Sequence, residues 1–454
     1  MRKIISGRRS SGRGAFKMLI NTAETTPYFG SGSPSATNQF YFPIPNGTDW
    51  AGYDINFTID WGDGTTSNVN STNFATSCLH TYSSSGQYVV SAEGNIAGFN
   101  FWNMRNVVGK ADGNKLLEIQ RWVDLKLTGG TYFGGGGFAS GINQTFRHCE
   151  LLELVTAEDG PWFPPNIRFN SLNDKGARGL FSFCPKLTTI NNIANWDVSG
   201  CISLEIIFSG CQKLEFGTNA GGAIDLSNWD VSRNHQFERM FSECFLFDAK
   251  MFTNVGLNIS PSQFGPLRFK SMFRSATVFN DLNSGNMNLW DTSEGTNMEY
   301  MFQSAIAFNQ DLRNWDTSKV TTMRQMFSNA VVFNQNIGVW NTSSVTDMRR
   351  MFRSFAGGIA FDQDISGWNV NAWNVSTVGS SPMTGPTGTF NLSTSNYDAL
   401  LIAWDNNYSF PSWPGGTVDF GSSQYSLTSP GNSVANARAS LAALWGTLND
   451  GGGV

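Results

Sequence analysis

Few residues in this 454-residue chain are equipped for chemistry. His80, His148 and His235 are the whole supply of imidazole, and no two of them have the spacing of a zinc-ligand pair. Asp60 and Asp63 suit calcium by type, but the stretch lacks the alternating ligands of a calcium loop. Asp63, followed by Gly64, reads instead as a tight turn. Asp291, Asp316 and Asn341 fill one recurring slot, and the Asn there favours turn capping over general acid work. The glycines 134–137 are not followed by Lys-(Ser/Thr), so they make no phosphate cradle. No catalytic residue, cofactor or metal is expected, and the missing carboxylate pair disfavours a glycan-processing enzyme.

The six cysteines point to a structural pattern. Cys149, Cys184, Cys211 and Cys244 each lie three residues after a phenylalanine: Phe146, Phe181, Phe208 and Phe241. Phe273, Phe302 and Phe327 are followed at the same distance by Ala276, Ala305 and Ala330, whereas Phe352 is followed by Phe355. A slot shared by Cys and Ala asks for a small, buried, weakly polar side chain rather than a disulfide or a metal ligand. Cys78 and Cys201 stand outside the pattern, and pairing between them is left open. Six residues after the anchors come Leu152, Leu187, Leu214, Phe247, Phe279, Phe308 and Phe333, while pairs such as Met298/Met301 and Met323/Met326 precede them.

A recurring unit that cannot bury its apolar face alone is the mark of a solenoid, here of eight coils. The expected coil has a short helical turn in "VTTMRQMF", capped by Thr321 or Thr322, and then a strand in "AFNQDL". Parallel strands would stack about 4.8 Å apart. The eight phenylalanines form a structural ladder, core first rather than an exposed platform for sugars.

The early coils "LFSFCPKLTTI" and "IFSGCQKLEF" and the later Met-Phe…Phe-Asn-Gln…Trp-Asp-Thr-Ser coils together resemble the BspA-like leucine-rich-repeat family of microbial surface proteins over about residues 98 to 450. The end of the chain, with "NYDALLIAW" and "SVANARASLAALW", resembles that family's closing segment and reads as two helices capping the last coil. Ahead of the repeats, "INFTIDWGDGTTSNV" and "LHTYSSSGQYVVSAEG" alternate apolar and polar residues around glycine turns. Trp61, Gly62, Asp63, Gly64, His80, Thr81, Tyr82, Gly86, Tyr88 and Val90 resemble the motif of a polycystic-kidney-disease-type (PKD-like) β-sandwich. They lack the aromatic often found between the Trp and the Gly-Asp-Gly. The resemblance implies a spacer or adhesive module. The expected protein is therefore mainly β. A basic arm (1–20) precedes a PKD-like sandwich (21–97), a leucine-rich-repeat-like solenoid of about eight coils (98–390) and a partly helical cap (391–454).

Charged residues are only 14% of the chain and the net charge is −5, which argues against a specific nucleic-acid partner. Arg2, Lys3, Arg8, Arg9, Arg13 and Lys17 nevertheless crowd the first 17 residues without an acid, as an anchoring arm would. No segment has the apolar length of a membrane span, and the basic start lacks the continuous apolar run of a secretory signal. Export by a standard route is not expected. These features point to a non-enzymatic structural and adhesion protein at the surface of a virion, a bacteriophage capsid decoration, tail or fibre component. Such particles assemble in the host cytoplasm, where thiols stay reduced. The arm or sandwich would meet other virion proteins and the solenoid a host-surface protein or glycan, and a homo-oligomer fits the same scheme. The alternative is a bacterial cell-surface adhesin of the BspA-like kind.

Overall fold

The computed structural model describes residues 15–25, 34–44, 55–97, 99–101, 112–122, 125–126, 144–157, 177–215, 225–255, 265–354, 357–372, 391–407, 416–428 and 430–454. Arg2, Lys3, Arg8, Arg9, Arg13, the glycine run and Phe355 lie outside them. The described chain is mostly non-helical, with several sheets and no closed barrel.

Strand β1 (Phe16–Asn21) alternates buried Phe16, Met18 and Ile20 with half-buried neighbours. That period-two pattern suits a strand with one face on a core. Next come β2 (Gln39–Tyr41), β3 (Asn56–Asp60), β4 (Thr66–Asn70), one turn of helix α1 (Phe74–Ser77), β5 (Leu79–Thr81) and β6 (Gln87–Ala97). The strands β7 (Leu116–Arg121), β8 (Leu125–Lys126), β9 (Leu154–Val155) and β10 (Thr189–Ile190) follow. The main sheet runs β10-β9-β7-β1-β6-β3-β4, with β8 also on β6, and β2 pairs with β5 separately.

At the N-terminal end two features differ from the sequence expectation. Lys17 is no part of a free arm: it sits in β1 opposite Ser91 of β6 and Arg121 of β7, because the alternation of FKMLIN draws it into the sheet. Nor does the sheet break near residue 97. β1 is antiparallel to β6 and β7, and β7 continues in parallel through β9 and β10 into the repeats. The core is just as continuous, since Phe16 packs on Phe99 (5.1 Å between centroids) and Phe99 on Phe146 (5.8 Å).

Within the repeats the expected helical turn does not form. The N–H groups of Met298, Tyr300, Phe302 and Ser304 donate to carbonyls of Thr322, Arg324, Met326 and Ser328 in the next coil. Those of Met301, Gln303 and Ala305 close three-residue turns on Met298, Tyr300 and Phe302. Half of the donors thus leave the coil, which a helix would not allow. Every second turn needs a left-handed residue, as at Tyr300 (φ 58°), Ser304 (φ 58°), Gln325 (φ 54°) and Asn329 (φ 59°). "AFNQDL" is likewise no strand. Strand pairing between late coils is reduced to β11 (Leu267–Arg268) on β12 (Gly295–Asn297) and to single bridges such as Asn297 to Thr322 and Thr322 to Asp347.

Helix α2 (Thr394–Asn407) buries Tyr397, Leu400, Leu401 and Trp404, and α3 (Ser433–Trp445) buries Val434, Ala437, Leu441 and Trp445. They pack together beside the parallel pair β13 (Gly416–Asp419) and β14 (Gly446–Asn449). No helix among the described residues is long and apolar enough to cross a membrane.

Candidate functional site

Each recurring residue of the repeat has an identifiable task. Phe146, Phe181, Phe208, Phe241, Phe273, Phe302, Phe327 and Phe352 have no exposed surface. Their rings stack coil on coil with centroids 5.4 to 6.1 Å apart. A second file, Phe247, Phe279, Phe308, Phe333 and Phe361, runs beside it at 5.7 to 6.1 Å. Rings of the two files meet within a coil at about 3.9 Å, as in Phe302–Phe308 and Phe327–Phe333. Buried on both sides, these rings offer no platform to a sugar.

The polar members of the motif bond between coils. The indole N–H groups of Trp290, Trp315, Trp340 and Trp368 donate to carbonyls of Phe252, Met287, Leu312 and Ile337 at 2.7 to 3.0 Å. The side chains of Asp291, Asp316 and Asn341 accept the N–H of Ser293, Ser318 and Ser343, so this row caps its own turns. Thr292, Thr317 and Thr342 donate forward to carbonyls of Asp316, Asn341 and Asn369. One place after the second phenylalanine, the side-chain oxygen of each Asn receives the backbone N–H of the same place in the next coil: Asn280 from Asn309, Asn309 from Asn334, Asn334 from Asp362. Sequence reasoning missed this ladder. Its signal was the Asn recurring one place after the second phenylalanine.

All six cysteines are free and buried. The thiols of Cys184, Cys211 and Cys244 donate to carbonyls of Phe146, Phe181 and Phe208, each the preceding coil's anchor, at 3.0 to 3.1 Å. Burial pushes the thiol of Cys211 up to about 12 and those of Cys149, Cys184 and Cys244 well above the ordinary range. Such thiols are inert as nucleophiles. Cys78 and Cys201, both pushed to about 12 by burial, are free as well and do not pair.

The histidines do not converge. His80 Nε2 lies 2.7 Å from Asp63 Oδ2, with its ring stacked on Trp61. Burial raises Asp63, but hydrogen bonds with Thr65 and His80 outweigh it and hold the carboxyl at about 2. His148 stacks on Phe183 in the repeats. His235 is buried and pushed down to about 4 by that burial, with Arg268 adding to the effect. Among the described residues, no three of His, Cys, Asp and Glu come together as a metal site would need.

One outer face carries a charge ladder, three residues before successive anchors. Arg178 forks onto Glu205 (2.9 Å twice), and Glu299 receives Lys270 (2.7 Å) from one side and Arg324 (3.3 Å) from the other. Arg324 also lies over the Tyr300 ring at 5.5 Å.

Residues 172–261 and 267–397 match the family model described as "Mycoplasma protein of unknown function, DUF285". The match covers the repeat anchors from Phe181 to Phe352 and ends in α2. No curated protein and no solved structure matches the chain.

Proposed function

We propose that this is a non-enzymatic structural and adhesion protein, a leucine-rich-repeat-like solenoid behind a PKD-like sandwich, displayed on a bacteriophage virion. The carrying observation is that the aromatic, thiol and amide residues of the repeat are consumed in stacking coils. What the stack offers a partner is therefore a long, firm outer surface rather than a pocket. Six buried cysteines without a disulfide among them suit assembly in a reducing compartment, as virion proteins undergo. The second reading, a BspA-like adhesin of a bacterial surface, is favoured by the similarity of residues 172–261 and 267–397 to a Mycoplasma family. Mass spectrometry of purified particles and of surface-shaved host cells separates the two. Peptides in intact particles at stoichiometric yield support the virion reading, and peptides only in the shaved fraction move the assignment to the adhesin. Recovery only from the soluble cell interior defeats both.

A further inference from the structure

Lys115 has no exposed surface, a state lysine almost never adopts without full pairing. It ends the 3-10 turn Asp112–Lys115, which leads straight into β7. Its ammonium lies within hydrogen-bonding distance of the carbonyls of Ser35 (3.1 Å), Ala36 (2.9 Å) and Gln39 (2.7 Å) and of Ser35 Oγ (2.9 Å), which share its three N–H donors. Asp112, equally buried, has its carboxylate 3.9 Å from that ammonium. It accepts the N–H of Ser35 (2.7 Å), the hydroxyl of Ser35 (2.6 Å) and the N–H of Tyr41 (2.7 Å).

Every one of these bonds joins the segment entering β2 to the segment entering β7. β2 belongs to the small sheet ahead of the repeats, whereas β7 is the strand from which the parallel repeat sheet grows. β1 and the Phe16–Phe99–Phe146 contacts bridge the same junction. We propose that Ser35, Asp112 and Lys115 form an internal latch that makes the N-terminal unit and the repeat stack one cooperative body. The stack then points in a fixed direction instead of swinging on a linker, which is the opposite of a flexible spacer.

Hydrogen exchange of the full-length protein across a thermal ramp tests this. It follows amides of β3 and β6 alongside those of Met298–Ser304. In the native sequence both sets should lose protection at one midpoint. Lys115→Met strands the buried Asp112 carboxylate and should lower the midpoint of the β3 and β6 amides by roughly 5–10 °C, separating it from that of the repeats. Ser35→Ala, a milder change, should shift it in the same direction by less, and it decides the matter should Lys115→Met fail to accumulate. Two well-separated midpoints in the native sequence would overturn the proposal. So would variants whose β3 and β6 amides open at the native midpoint.

Discussion

At Asp248 the repeat departs from its own pattern. The equivalent place in the following coils holds Asn280, Asn309 and Asn334, and Asp248 does the same work, accepting the N–H of Asn280 (2.9 Å) and of Leu282 (3.1 Å). A carboxylate here carries a charge that an amide would not. Burial raises its pKa despite those bonds, so ionisation favours the unfolded chain. The contribution is absent below the ordinary aspartate range near 3.9, where both states hold the proton. It grows as a stability cost while pH rises through the raised native value. Asp248→Asn should therefore match the native protein near pH 3 and exceed it at pH 7, by less than about 1 kcal/mol given the half-open position. Urea melts at both pH values check this. Asp281, also raised by burial, is unchanged in the variant and cancels from the difference.

The coil is the element that builds the stack, and it departs from a helix for a stated reason. Its alternate N–H groups are committed to the next coil, and left-handed residues costing about 1–2 kcal/mol each are held by those bonds. A coil is therefore stable only between neighbours. Phe327 shows how strongly: its ring meets Phe333 at 3.9 Å in its own coil, Phe302 at 5.6 Å before it and Phe352 at 5.9 Å after it. Phe327→Ala should cost about 3–5 kcal/mol, because the surrounding rings cannot collapse into the gap. Chemical denaturation gives the value. A loss under about 1 kcal/mol would mean that the files of rings are not the core of the stack.

For the whole molecule the question is what fixes one end. Arg2, Lys3, Arg8, Arg9 and Arg13 precede β1, while Lys17 is inside it. A truncation that tests electrostatic anchoring must therefore stop short of Phe16. On the proposed virion reading, deleting residues 2–13 should leave the thermal midpoint within a few degrees of native and abolish incorporation into particles. In the intact protein, attachment should weaken as salt rises, since exposed charges are screened within about 8–10 Å. Particle sedimentation followed by quantitative immunoblotting reads both. Undiminished incorporation of the truncated chain would move the anchor to the sheet that begins at β1 or to the C-terminal helices α2 and α3.

The period, the anchors and the interchange of Cys with Ala were legible in the sequence, because a stacked slot admits only side chains of one size and polarity. The capping role of Asp291 and Asp316 was legible for the same reason, once Asn appeared in their row. Alternation alone also marked the strands around Trp61 and Tyr88. What only the tertiary structure decided depends on partners that local sequence does not contain. "VTTMRQMF" has a helix-like spacing of apolar residues, yet the N–H groups of Met323, Gln325 and Phe327 find carbonyls of Asp347, Arg349 and Met351 in the next coil, and that competition is invisible within one coil. Lys17 reads as one more arm cation until β6 and β7 close around it. Lys115 is an unremarked lysine in the sequence. It becomes an internal ion only when the chain brings Ser35, Ala36 and Gln39 round it, because the cost of burying a charge is met by oxygens from the far side of a fold.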